Sequence, residues 1–200
     1  LLISIKKVLQ NNDLISDKIK SDYLNFFRDL DNKIMDCKDH NNWIDLYTEL
    51  VSWEINLDLT SNNDFDEFLV SQKKELNNKF SEFVIHNYRN WINKSIDSPL
   101  MSNEILKKKI FNHIGDKPVF LIVIDNLRYD QWKIIESDIS KIFHINQDKP
   151  YLSILPTTTE YSRNALFSGL NPLEMSNNYP ELWGDKSKGL NNREYEFLDQ

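Results

Sequence analysis

The chain has 200 residues, 40% hydrophobic and 28% charged, with a net charge of −7 and a pI of about 5.1, an ordinary soluble composition with apolar material for one or two cores. The acidic balance disfavours broad, sequence-independent nucleic-acid binding, which needs clustered Lys and Arg, but leaves room for one local phosphate site. Cys37 is the single cysteine, so an intrachain disulfide and a Cys-rich zinc site are excluded; no apolar run approaches a membrane span or a signal peptide, which makes the cytoplasm the default compartment.

From Leu1 to about Asn112 nearly everything reads as helix. "LLISIKKVLQ" is a short amphipathic piece. The next stretch carries Ile19, Tyr23, Phe26, Phe27, Leu30 and Ile34 at three- and four-residue spacings, one helical face. "NNWIDLYTELVSWEINL" repeats the pattern with Trp43, Leu46, Tyr47, Leu50, Glu54 and Leu57. The third and longest run holds Phe65, Phe68, Leu69, Leu76, Phe80, Phe83, Val84, Tyr88, Trp91 and Ile92, roughly eight turns at the 3.6-residue period. Asn11-Asn12, Asn41-Asn42 and Ser61-Asn62-Asn63 are expected to punctuate these helices, because Asn and Ser satisfy free N–H groups at caps and turns. Asp97-Ser98-Pro99 is expected to end the long helix, since proline disfavours helix in the residue before it. Ser102–His113 reads as a last short helix. Long antiparallel helices imply a bundle. Their aromatics are core, or some surplus around Trp53 or Trp91 forms a dimer seam.

At Gly115 the texture changes. "KPVFLIVID" is a continuous apolar run with a proline near its start, which predicts a buried strand of a parallel sheet. "YDQWKIIESDISKIF" reads as helix, "PYLSILP" as a second short strand, and "TTTEYSRNALFSGL" as a helix closing at Gly169. Strand, helix, strand, helix is the start of an open α/β sheet. Such sheets bind ligands at the carboxyl ends of their strands, where Asp125 and Pro156-Thr157-Thr158-Thr159 fall. The strand then acts as a rigid arm delivering a carboxylate. Each piece also has a plainer reading. Asp125 suits a helix N-cap, Thr157 with Glu160 suits a capping box, and Arg128 and Asp130 suit a first helical turn. His144, between the two strands, reads as a surface or satisfied residue. The sequence contains no glycine-rich phosphate loop and no H-E-x-x-H motif.

In combination, "VIDNLRYD" followed by "LPTTTEYSRNALFSGLNP" resembles the alkaline phosphatase superfamily, and within it the PglZ domains. A helical segment followed by such a domain, with "VIDNLRYDQW", further resembles the PglZ-type, PorX-like response regulators of Bacteroidota. The resemblance implies that Asp125 is the first metal carboxylate and Thr159 the nucleophile and a metal ligand, with Thr158, Asn164 and Arg128 supporting phosphate binding. It also implies two zinc ions as cofactors. A threonine hydroxyl is a weak nucleophile at neutral pH and needs activation, which metal coordination supplies. Two zinc ions clamp the attacking and leaving oxygens, Asp125 offers a hard oxygen ligand, and a helix starting near Thr159 aims its positive dipole end at phosphate.

The chain also departs from that pattern. No histidine follows Thr159, and His40, His86 and His113 lie in or beside the helical half. Ser162 stands where some relatives place a phosphate-binding asparagine. The remaining metal ligands are therefore expected outside these residues, and the chain, which starts at Leu1 and breaks off within "REYEFLDQ", is expected to be a fragment. The resulting expectation is a fold of helical bundle followed by the start of an α/β domain. Residues 1–10 would be the last helix of an upstream receiver, 11–113 a linker bundle, and 114–200 the beginning of a PglZ domain. Resemblance further implies a two-component response regulator hydrolysing phosphomonoesters or phosphodiesters, with nucleotide signals among the candidate substrates, a sensor histidine kinase as partner, a homodimeric state, and no membrane or broad nucleic-acid partner. The alternative is a non-catalytic helical dimerisation and signalling module whose α/β part binds a partner.

Overall fold

A computed structural model of the chain describes residues 2–59, 66–94, 97–115, 117–184 and 191–200. They divide into two compact units, one running to Asn87 with Asn126–Asp148 added, the other made of Tyr88–Asp125 and Lys149–Gln200.

The first unit is helical. α1 (Leu2–Asp36), α2 (His40–Leu59) and most of α3 (Asp66–Ile92) supply it. Tyr23, Phe26 and Leu30 from α1 meet Trp43, Leu46, Leu50 and Leu57 from α2 and Leu69 and Leu76 from α3 in one buried cluster. Each such side chain contributes about 1.5–3 kcal/mol of transfer free energy. The spacing argument therefore identifies the buried face. It does not fix its margins: Phe27 and Phe68 stay largely exposed and meet each other edge-on, with centroids 6.0 Å apart. The ring of Trp53 lies 5.9 Å from those of both Tyr23 and Phe26, and Trp43 lies 5.5 Å from Phe80 and 5.8 Å from Phe83. Trp91, in the second unit, is buried as well. The tryptophans considered for a dimer seam thus pack within the chain. Tyr23 Oη donates to Gln72 Oε1 at 2.7 Å inside the core, and burial pushes the Tyr23 hydroxyl up to about 12.

Asn11-Asn12 does not break α1, which runs through it; an interior asparagine costs only about 0.7 kcal/mol against alanine, too little to stop a helix without Gly or Pro. At α2 the cap is Asp39. Its Oδ1 accepts the backbone N–H groups of Asn41 and Asn42 at 2.8 and 2.9 Å, while Asn42 Oδ1 reaches back to the N–H of Asp39 at 3.3 Å, a reciprocal capping arrangement. Ser61-Asn62-Asn63 and Phe65 lie outside the described residues. α4 (Tyr129–Ile139) follows the apolar run in sequence but belongs to this unit, packing on α2 with Tyr47 and Tyr129 rings 6.2 Å apart.

In the second unit α3 ends at Ile92, five residues before Asp97. Lys94 adopts a left-handed turn (φ 57°) with its N–H on Trp91 O at 3.0 Å, so a left-handed terminus rather than Pro99 closes the helix. Ser102–His113 is irregular: tight turns at Ser102–Glu104 and Phe111–His113 flank a wide turn at Leu106–Ile110. After it come α5 (Thr159–Ser168), α6 (Pro172–Asn178), α7 (Pro180–Gly184) and α8 (Glu194–Leu198). Ile154, Ala165, Met175, Met101, Leu106 and Phe197 are buried here. α5 ends as expected at Gly169, left-handed with φ 69°, which favours glycine.

The two expected strands are not formed as sheet among the described residues. Residues 118–124 form no secondary-structure element and pair with no strand, and Phe120, Ile122 and Ile124 are 85%, 79% and 54% exposed. "PYLSILP" contributes one parallel bridge, Leu152 to Met101, with Leu152 N–H on Leu100 O at 3.1 Å. The reason is physical: a helix closes its hydrogen bonds within itself, whereas a strand needs a neighbour.

Candidate functional site

α5 carries the threonine run at its start. Thr158 is the N-cap, extended (φ −64°, ψ 147°) and making no capping bond with its side chain, and Thr159 is the first helical residue. Thr158 O accepts the N–H groups of Tyr161 and Ser162 at 3.0 and 2.9 Å. The helix therefore begins one residue later than a Thr157–Glu160 capping box requires, and Thr157 is not its cap. Thr159 sits at the end where the helix dipole is positive and favours anions.

Asp125 does not cap a helix either. α4 starts from Arg128, whose N–H goes to Gln131 Oε1 at 3.0 Å. The Asp125 carboxylate instead meets α5: Arg163 Nη1 lies 3.4 Å from its Oδ2. Arg163 stands four residues after Thr159, hence on the same helical face. Its Nε lies 2.6 Å from Glu194 Oε1 on α8, whose side chain is only 10% exposed. One guanidinium thus links the end of the apolar run, α5 and α8. Burial pushes the Glu194 carboxyl up and Arg163 pulls it back.

The supporting residues fare differently. Asn164 is buried, and its Nδ2 donates to Glu160 O at 2.8 Å, back along its own helix. Arg128, in the first unit, grips Asp130 with two bonds, Nε to Oδ1 at 3.0 Å and Nη2 to Oδ2 at 2.8 Å; this holds the Asp130 carboxyl below its ordinary range. Ser162 joins a hydroxyl cluster, 2.7 Å from Ser153 Oγ and 3.3 Å from Ser102 Oγ. It ties α5 to the segment around Ile154, whose N–H donates to Ser102 Oγ at 3.1 Å. His86, His113 and His144 are exposed.

The sequence reading missed Arg163 and Glu194. The four-residue offset from Thr159 was a usable signal for Arg163; nothing in "REYEFLDQ" marks Glu194 as a partner of α5. Among the described residues no three or more His, Cys, Asp or Glu side chains gather as a metal-ion group would. The donor chemistry agrees, because Asp125 and Glu194 both face a guanidinium. These residues alone do not make a two-metal centre. Among the described residues no helix is long and apolar enough to cross a membrane.

Comparison with known families finds two matches. Residues 13–92 match the PorX response regulator linker domain, and residues 105–200 match the BREX system PglZ alkaline phosphatase-like domain. Comparison with curated proteins finds no match. The first match covers the helices of the buried aromatic cluster, and the second contains both Asp125 and Thr159. A response regulator linker match followed by an alkaline phosphatase-like match is the order expected of a PglZ-domain, PorX-like protein, which the chain resembles.

Proposed function

We propose that the chain is part of a two-component response regulator whose output is a phosphoesterase, with Thr159 as nucleophile and Asp125 as a metal ligand. The observation that carries the reading is the Arg163–Asp125 contact, which ties the aspartate ending "LIVID" to the helix that starts at Thr159. The linker and PglZ matches, in that order, support the placement of a signalling segment before an output domain. In this reading residues 1–10 end a receiver, 11–113 are the linker, and 114–200 begin an α/β output domain in which 117–125 is an inner strand.

The chemistry follows from the local structure. Thr159 lies in the first turn of α5, where the dipole favours an approaching phosphoryl group. Attack by its Oγ on phosphorus, with the hydroxyl proton passing to the leaving oxygen, forms a phosphothreonine ester and releases one alcohol; water then frees the threonine and releases phosphate from a monoester or a phosphomonoester from a diester. Alkaline phosphatase-like proteins are generally metal-dependent, and zinc is the proposed ion, with Asp125 contributing one oxygen. The further ligands such a site requires are not gathered among the described residues. Thr158 and Asn164 keep supporting roles in substrate binding; Arg128, engaged with Asp130 in the first unit, is left out of the reading. The substrates are phosphomonoesters or phosphodiesters, nucleotide signals among them, the upstream partner is a sensor histidine kinase, and the working state is a cytoplasmic homodimer.

The test is Thr159→Ala in the full-length protein, assayed with bis-p-nitrophenyl phosphate. Turnover is expected to fall by about a thousand-fold or more, as for removal of a nucleophile elsewhere, with an unchanged far-UV circular dichroism spectrum. Undiminished hydrolysis removes Thr159 from that role.

A further inference from the structure

Hydroxyl groups fasten the segment that leads into Thr159. Ser153 Oγ lies 2.7 Å from Ser162 Oγ on α5, and the Ile154 N–H donates to Ser102 Oγ at 3.1 Å. The next residue, Leu155, is held by a single phenol. Its N–H donates to Tyr88 Oη at 2.7 Å, and the Tyr88 hydroxyl donates to its carbonyl oxygen at 3.1 Å. Between Leu155 and Thr159 lie only Pro156, Thr157 and Thr158. Tyr88 stands near the end of α3, in the second unit with Leu155 and Thr159. It falls within the linker match, whereas Leu155 and Thr159 fall within the PglZ match. The Tyr88 ring meets the buried Trp91 edge-on, with centroids 6.5 Å apart, so the phenol is seated on a packed wall. Leu155 is 42% exposed. Water can satisfy its backbone groups there, so the fold has little need of the two bonds for stability. Their effect is to fix a place.

We propose that Tyr88 is a positioning residue for Thr159: by holding both backbone groups of Leu155, it fixes the segment that carries the threonine into the first turn of α5. A residue of the linker-matching part of the chain thereby completes the nucleophile's support in the output part. Attack on phosphorus depends on where the attacking oxygen sits, and a small displacement slows the chemical step without weakening substrate contacts made elsewhere. Without the Tyr88 hydroxyl, Leu155 is released and Thr159 spends less time in line with its target. The inference rests on the reading of Thr159 as the nucleophile.

Tyr88→Phe in the full-length protein tests it, because this change keeps the ring on Trp91 and removes only the hydroxyl. Hydrogen exchange resolved to single amides should show Leu155 exchanging up to about ten-fold faster than in the parent. With bis-p-nitrophenyl phosphate, well below the melting temperature of both proteins, kcat should fall by about ten-fold or more and KM should stay within about two-fold. Tyr88→Ala, which lacks the ring as well, should lose at least as much turnover. A Leu155 amide that exchanges as in the parent overturns the positioning role, and so does an unchanged kcat in Tyr88→Phe. Lost turnover in Tyr88→Ala alone would make Tyr88 a packing residue and overturns it too. Thr159→Ala separates the two claims. If it abolishes turnover while Tyr88→Phe keeps the parent's kcat, only the positioning role fails; if it leaves turnover intact, the nucleophile reading fails and takes the positioning role with it.

Discussion

Two regions of this chain carry apolar side chains and meet opposite fates. Along α1 and α2, Tyr23, Leu30, Leu46 and Leu50 are each no more than 5% exposed. Along 119–124, Phe120 and Ile122 are 85% and 79% exposed. Hydrophobicity does not separate them; the origin of their hydrogen bonds does. A helix satisfies its own backbone, so an apolar stripe needs only another stripe to cover it. An extended run with apolar residues on both faces needs neighbours at its two edges and covers on its two faces. The helical unit supplies its own partners, and the run at 119–124 finds no strand neighbour among the described residues. Apolar content is thus a sound guide to burial only where the element is self-sufficient.

The largest expected effect lies in the helical unit. Trp43 packs on Phe80 and Phe83 and is 6% exposed, so Trp43→Ala should cost about 3–5 kcal/mol in urea unfolding followed by circular dichroism. A loss under 1 kcal/mol would mean that the cluster is not the core it resembles. Next comes the buried phenol. Tyr23→Phe leaves Gln72 Oε1 without its 2.7 Å donor, a loss of about 1–3 kcal/mol. Because the folded-state pKa of Tyr23 is raised to about 12, its contribution is complete below the unfolded value of about 10 and is lost as pH rises from there through about 12. The parent should lose stability over that window more steeply than the Phe variant; parallel curves would break the assignment.

The second unit should respond more weakly. Asn171 caps α6: its Oδ1 takes the Glu174 N–H at 2.9 Å, and its own N–H goes to Glu174 Oε2 at 2.8 Å. Asn171→Ala should cost about 1 kcal/mol, read by hydrogen exchange of the first α6 amides. The smallest effect sharpens the comparison most. Phe120→Ser should change stability by less than about 0.5 kcal/mol if the side chain is as exposed as the structure has it. A loss of several kcal/mol in the full-length protein would instead show that the run becomes the inner strand its sequence predicts.

The candidate site was legible in the sequence only in part, and the division has a cause. Asp125 and Thr159 became candidates because their two motifs, taken together, resemble a known family; each alone suits an ordinary cap. Arg163 and Glu194 did not become candidates, because their meaning comes from a contact between positions far apart in the chain. The capping details shifted by a residue for a similar reason. Thr157 with Glu160 and Asn171 with Glu174 both fit the reciprocal capping pattern, yet only the second forms.

The sequence by itself determined the three long helices, the face each buries, the closure of α5 at Gly169 and the segments that match the linker and PglZ families. All of these depend on interactions within a few residues or on periodicity. The tertiary structure alone decided that Trp53 packs on Tyr23 and Phe26, that α4 joins α2, that residues 118–124 pair with no strand among the described residues, and that Asp125 meets Arg163. These depend on which distant surfaces come together, and periodicity, which places a residue on a face, carries no record of what that face will touch.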